Sequence, residues 1–277
     1  MNNGLINGLE KTVVDWVNTV LSNGGATPSG NTNRVLSNFY KQLRTTGLVN
    51  KIKALNIFAP DNLIAAQTPL ISVAGSKIWS NSNFVTGDLT INGLKGNGSN
   101  KYLNTGIACN GIFSTSNMGA TLYVPENSGG VGHNYGCASN TSYTNDCVAT
   151  FWVNGAGVFM DSYNTVVTTG GRYTITQVAN WTGLLSLART GTTTFNAYWQ
   201  KPGAAVVLAQ GPYANSGGTV PTTTMYAFCS NNSTAPAFFS SDRMSILAFH
   251  DGMTSNEIIT FGALIKTMRI GIGGGYV

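Results

Sequence analysis

The sequence predicts a mainly β protein: an antiparallel jelly-roll β-sandwich with an N-terminal helical hairpin and a C-terminal helix. Two observations carry that expectation. From about Ile71 onward, short apolar and β-branched runs alternate with Gly- and Asn-rich turn signals. Hydrophobic residues make up 42% of the 277, enough for a sizeable core, whereas charged residues are only 9%, against roughly 25% in ordinary soluble domains. Asn, Ser, Thr and Gly must therefore supply most of the polar exterior, which suits exposed all-β modules. No stretch recurs at a fixed period, so a propeller or solenoid is not expected.

Residues 1–68 are expected to form a helical anchor segment and residues 69–277 the sandwich with its terminal helix. Val13, Val14, Val17, Val20 and Leu21 follow the spacing of one helix face. Asn23-Gly24-Gly25 stops that helix. A second begins near Asn31 or Thr32, either of which can cap it. Its apolar face is Val35, Leu36, Phe39, Tyr40 and Leu43, and Gly47 closes it. Helices this short are marginal alone, so they must dock on each other, on the sandwich or on a partner.

Beyond residue 70 the turn dipeptides Asn92-Gly93, Asn97-Gly98, Asn110-Gly111 and Asn154-Gly155 punctuate the chain. The expected strands include Thr121–Val124, Ala149–Val153, Tyr173–Val178, Leu184–Arg189, Thr194–Trp199, Ala205–Ala209, Met225–Cys229 and Met244–Phe249. At the end, Thr254 and Glu257 have the spacing of a capping box. Ile258, Phe261, Leu264, Ile265 and Met268 form the apolar face of the helix that follows.

The net charge of +5 comes from 15 basic and 10 acidic residues. Arg34, Lys41, Arg44, Lys51 and Lys53 form only a loose cluster, and nucleic-acid binding needs a denser stripe. No nucleic-acid partner is expected. The opening Met1-Asn2-Asn3-Gly4 lacks the basic and apolar regions of a secretory leader. No run approaches the ~18 apolar residues of a membrane span, so no membrane association is expected. Cys109, Cys137, Cys147 and Cys229 lack metal-site spacing. Cys137 and Cys147 flank a Ser/Thr/Asn loop and are read as either a bridge or free thiols.

The layout resembles the concanavalin A-like (laminin-G/jelly-roll) domains of bacteriophage and prophage proteins. The matching blocks are Asp15-Trp16-Val17, Gly47-Leu48-Val49-Asn50-Lys51-Ile52, Leu55-Asn56-Ile57-Phe58 and Gly93-Leu94-Lys95-Gly96-Asn97-Gly98 through Tyr102-Leu103-Asn104-Thr105-Gly106. Ser186-Leu187-Ala188-Arg189 and Asp242-Arg243-Met244 continue the likeness. The helix end Ile270-Gly271-Ile272-Gly273 departs from it. The resemblance implies a jelly roll and a place on a virion, in a head-surface, tail or fibre component.

Catalytic chemistry finds little support. Sandwich glycosidases need two carboxylates about 5 Å apart, and no two of the ten acids lie within four positions of each other. His250 reads as structural, His133 as a loop residue, and neither has a nucleophile motif beside it. No enzyme activity, cofactor or metal site is expected. Carbohydrate binding needs an aromatic platform with amide or carboxylate partners. Tyr135, Tyr143, Asp146, Trp152 and Trp181 are the candidates, with a core role for Trp152 as the competing reading.

The expectation is therefore a virion structural protein of decoration or fibre type, made in the host cytoplasm. Its helices would hold capsid or tail partners, and self-association is expected. The alternative is a receptor-binding adhesin for host surface glycan. A polysaccharide depolymerase using Asp146 or Asp161 stands behind both.

Overall fold

The computed structural model describes residues 8–58, 61–73, 77–139, 147–153, 157–163, 172–176, 181–214, 218–233 and 235–275, with only the backbone described at 151–153, 176, 194 and 208–214. Helices α1 (Lys11–Ser22) and α2 (Gly30–Thr45) come first, then β1 (Ile52–Ile57), the short α3 (Leu63–Gln67), β2 (Ile71–Ser72), β3 (Ser80–Ser82), β4 (Leu89–Thr90) and β5 (Gly93–Lys95). Next are β6 (Tyr102–Ala108), the one-turn α4 (Cys109–Ile112), β7 (Met118–Val124), β8 (Gly132–Ala138), β9 (Cys147–Val153), β10 (Gly157–Ser162) and β11 (Arg172–Thr176). The chain continues through β12 (Gly183–Arg189), β13 (Thr194–Gln200), β14 (Val207–Ala214), β15 (Thr224–Ala227), β16 (Ser230–Asn232) and β17 (Ala235–Ala237). It finishes with β18 (Arg243–Met244), β19 (Ile246–His250) and α5 (Ser255–Gly271).

Among the described residues these strands build two large sheets. One is seven-stranded, in the order β14-β13-β12-β7-β19-β1-β2. The other has nine strands, β11-β10-β9-β8-β15-β6-β3 with β16 and β17 attached beside β8. All pairings are antiparallel except β16 with β8. The small sheet β18-β5-β4 completes the fold. This is the expected mainly β antiparallel sandwich.

Alternation explains how the sheets stack, because successive side chains point to opposite faces. Ala120, Leu122 and Val124 of β7, Leu185 and Leu187 of β12, and Leu247 and Phe249 of β19 face the nine-stranded sheet. That sheet answers with Leu103, Ile107, Tyr135, Val148, Val158, Met160 and Met225. The other phase of the seven-stranded sheet (Leu55, Tyr123, Leu184, Ile246, Ala248) forms a second core with Val13, Trp16 and Val17 of α1, Leu36 and Phe39 of α2, and Phe261 and Ile265 of α5. The seven-stranded sheet is thus buried on both faces.

The helices match the periodicity, and their ends follow local chemistry. Thr254 and Glu257 do form a capping box at the start of α5. Helix α2 begins slightly before the expected Asn31 or Thr32. Ser29 caps it, its Oγ accepting from the Thr32 N–H at 3.1 Å. Gly47 closes that helical region at φ 76°, a left-handed turn that glycine adopts at little cost. The Trp16 indole donates to the Thr68 carbonyl at 2.8 Å, and the Asn31 amide to the Gly271 carbonyl at 3.0 Å. These bonds tie α1 and α2 to the rest of the fold.

Residues 52–57, expected within a helical segment, instead form strand β1 inside the seven-stranded sheet, paired with β19 and β2. Helices cover one of its faces and the second sheet the other, so apolar residues occupy both phases, Ile52, Ala54, Leu55 and Ile57, with Lys53 and Asn56 between them. A helical and an extended reading of such a run cannot be separated by periodicity.

Cys137 and Cys147 form no disulfide, nor do Cys109 and Cys229, and all four are buried. Cys137 pairs with Val148 and Ala138 with Cys147 across β8 and β9. Cross-strand partners share a face, so the two thiols point to opposite sides of the sheet and cannot bridge.

Candidate ligand-binding face

The outer face of the nine-stranded sheet carries no long helix among the described residues. On β6, Leu103, Thr105 and Ile107 turn inward, which leaves Tyr102 and Asn104 outside. On β15, Met225 and Ala227 are in the core and Tyr226 is on the outer phase, directly opposite Asn104 but only 9% exposed. Tyr102 lies diagonal to Tyr226, with ring centroids 5.0 Å apart and planes at 29°. Phe239 packs against the free side of Tyr102 at 6.1 Å. Three aromatic rings therefore form a strip, bordered on the edge strand β3 by Ser82, opposite Tyr102, and Ser80, opposite Asn104. Asn104 accepts from the Gly106 N–H at 2.9 Å through Oδ1, and its amide nitrogen donates to nothing among the described residues.

Beside the strip, residues 228–239 run along β8 as a strained strap. Phe228, Ser233 and Phe238 adopt φ of 68°, 66° and 55°. Each such left-handed non-glycine residue costs roughly 1–2 kcal/mol. Backbone hydrogen bonds hold the strap in place: Phe228 N to Asn134 O at 2.7 Å, Ser233 N to Ala138 O at 2.8 Å, and His133 N to Phe238 O at 2.7 Å. Phe238 is 49% exposed, and its ring stacks on His133 at 4.9 Å. Burial pulls the His133 imidazole down to about 3, with Arg172 acting in the same direction, so the ring is neutral at physiological pH. Within the strap, Ser230 Oγ, Asn231 Oδ1 and Asn232 Oδ1 are shielded from solvent and have no hydrogen-bond partner among the described residues. Such oxygens cost about 1–3 kcal/mol each unless water or a ligand satisfies them.

Across the sheet from Tyr226 the register runs through Gly136, Ala149, Asp161 and Arg172. Ser230 of the strap lies over Gly136, and Ala149 and Asp161 beyond it are fully buried. At the far side the Arg172 guanidinium grips Asp161 with two bonds, of 2.6 and 2.8 Å, and lies 5.0 Å over the Phe159 ring. Burial raises the Asp161 carboxyl above its usual range, and Arg172 opposes that rise.

Two of the residues expected from sequence are corrected by this geometry. Tyr135 turns into the core at 0% exposure, its hydroxyl accepting from Thr150 Oγ1 at 3.0 Å and its ring edge-on to Phe249. Trp181 is also core, at 1% exposure. Neither presents a ring to a ligand, because each sits on the inward phase where the two sheets meet. Tyr143 and Asp146 lie outside the described residues. The Trp152 backbone belongs to β9, and its side chain also lies outside them.

Tyr102, Tyr226, Phe238 and Phe239 were not among the expected site residues. The signal for the first two was present in the alternation Tyr102-Leu103-Asn104-Thr105 and Met225-Tyr226-Ala227.

His250 is structural, as its sequence context suggests. Its Nδ1 contacts the Asp251 carbonyl oxygen at 2.7 Å and its Nε2 the Thr121 hydroxyl at 2.9 Å, and Thr121 in turn meets Ser186 at 2.7 Å. Gly119 makes room for the ring, since a Cβ there would stand 2.2 Å from it. Of the described acids, Glu10, Asp15, Asp88, Glu126, Asp161, Asp251 and Glu257 are in ion pairs, and Asp242 accepts from Ser128 and Asn134. Among the described residues no three His, Cys, Asp or Glu side chains converge as a metal site would require. No described helix is long and apolar enough to cross a membrane.

No protein-family model matches the chain, and no curated protein matches it. Among solved structures it is similar to the Ruminococcus gnavus IT-sialidase CBM40 bound to α2,3-sialyllactose, with 13% identity and a TM-score of 0.33 over 52% of this chain and 79% of that one. A leech intramolecular trans-sialidase complexed with 2,7-anhydro-Neu5Ac gives 9% identity and a TM-score of 0.37, over 67% of this chain and 27% of the other. Domain 4 of AbnA, a GH43 extracellular arabinanase from Geobacillus stearothermophilus, in complex with arabinotriose, gives 10% identity and a TM-score of 0.37, over 76% and 98% of the two chains.

Proposed function

We propose that this protein is a glycan-binding module whose ligand lies on the outer face of the nine-stranded sheet. The observation that carries the reading is the aromatic strip Tyr102–Tyr226–Phe239, set on the one large sheet face left without a helical cover and edged by Ser80, Ser82 and Asn104. A sugar ring presents an apolar C–H face that packs on aromatic carbon, while its hydroxyls need neutral donors and acceptors at the rim. The strip offers the first and the serine and asparagine side chains the second. The reading rests on this sheet face and not on the structural neighbours.

Isothermal titration against a panel of oligosaccharides tests it. Wild-type protein should bind at least one, and Tyr102→Ala should weaken that binding by about tenfold or more, the loss of roughly one stacking platform. A wild-type protein silent across the panel sinks the reading.

A second reading is a structural component of a bacteriophage particle. The exposed Ile259 and Ile270 of α5 favour it, because they flank an accessible helical side suited to attachment. Mass spectrometry of purified particles decides this reading, and a particle without the chain ends it.

A further inference from the structure

We infer that the outer face selects neutral glycans over anionic ones and binds them independently of ionic strength. This inference rests on the glycan-binding reading above and follows from where the chain puts its charges. Strand β3, strand β6, strand β15 and the strap 228–239 contain no Lys, Arg, Asp or Glu. The aromatic strip and its polar rim are therefore uncharged over their whole extent. Among the described residues, two cations adjoin the strands of this face, and each is already engaged. Lys101, just before β6, pairs with Asp88 at 2.5 Å. Arg172, on the opposite edge, is bound at two points to the buried Asp161.

Redirecting Arg172 to a ligand carboxylate would strand Asp161 as a buried uncompensated charge, a change far costlier than one ligand contact can return. No cation can enter from elsewhere, since the residues outside the described set contain one charged side chain, Asp146, and it is acidic. His133, beneath Phe238, is neutral. A sialic acid, uronic acid or sulfated sugar brought onto the strip would lose water around its anion and gain no opposite charge. A neutral hexose or N-acetylhexosamine gives up only hydroxyl or amide hydration, which the Ser, Asn and Thr rim replaces.

The test titrates the full chain with neutral oligosaccharides and their sialylated, uronic and sulfated counterparts at low and high salt. The expected Kd for neutral ligands changes by less than about twofold between 50 and 500 mM NaCl, because no charge pair is available to be screened. Each anionic counterpart should bind at least about tenfold more weakly than its neutral parent. Anionic ligands bound as tightly as neutral ones, or affinity falling steeply with salt, would overturn the inference while leaving glycan binding in place. Silence across every ligand would instead overturn the binding reading itself. Neutral binding that Tyr102→Ala does not weaken places the ligand elsewhere and overturns both.

Discussion

The seven-stranded sheet and the nine-stranded sheet share one core and differ in what lies on their outer faces. The first is capped by α1, α2 and α5, and its outward phase (Leu55, Tyr123, Leu184, Ala248) is buried beneath them together with the hydrogen-bonded Thr121, Ser186 and His250. The second has Tyr102, Asn104, Tyr226, Gly136, Ala149 and the Asp161–Arg172 pair on its outward phase. The covered face is held mainly by apolar packing, with one buried amide oxygen of α2, Asn33 Oδ1, left without a partner among the described residues. The strap beside the open face carries the half-exposed Phe238, the left-handed Phe228, Ser233 and Phe238, and three buried oxygens with no partner among the described residues. Phe228 takes its left-handed turn with its ring in the core against Phe58 and Phe84, and Ser233 turns the β16–β17 hairpin, which leaves Phe238 as the left-handed residue whose side chain reaches the surface.

The largest expected effect falls on the covered side. Phe261→Ala removes a fully buried ring between α5 and the sheet and should cost about 3–5 kcal/mol in chemical denaturation. Glycan affinity of the protein that remains folded should stay at the wild-type level. Lost binding in folded Phe261→Ala would mean that the two faces are not independent.

Acid should act on the covered side next. Burial pulls His250 down to about 4, with the Asp251 carbonyl opposing. The folded protein thus keeps this ring neutral while the unfolded chain protonates it near its ordinary 6.5. Stability is complete above that value and is lost as pH falls toward 4, by about 3 kcal/mol from this group. His133 acts in the same direction. Thermal melts between pH 7 and 4 check this, and a His250→Gln variant should show a shallower decline. An unchanged slope would remove His250 as the source.

The smallest stability change belongs to the open face. Tyr102→Ala should shift unfolding by only about 1 kcal/mol, the worth of a partly exposed aromatic contact, while its binding falls by far more. A large destabilisation would make Tyr102 a core residue in function and erase the contrast between the faces.

Much of this architecture is readable in the chain because the helices are amphipathic and the strands are separated by Asn-Gly signals. Val13, Val17 and Val20 mark α1, and Thr254 with Glu257 mark the start of α5. Strand β1 was hidden because a strand covered on both faces loses its alternation. The binding face was hidden for a related reason. In Tyr102-Leu103-Asn104-Thr105 and in Tyr135-Gly136-Cys137 an aromatic residue occupies one phase of a strand, and nothing local says which phase meets the other sheet. Tyr102 proved to be outside and Tyr135 inside. That assignment depends on pairings such as Tyr226 with Asn104 and Ala227 with Tyr135, between residues roughly a hundred positions apart in the chain.

The most direct test is a crystal structure of the full chain grown with the tightest neutral oligosaccharide from the titration panel. The sugar ring should lie against Tyr102 and Phe239, with hydroxyls directed at Ser80, Ser82 or Asn104. A sugar seated instead in the groove of about 710 Å³ between α2 and α5, lined by Val35, Phe39 and Met268, would show that the helical side is the working surface and would contradict the account.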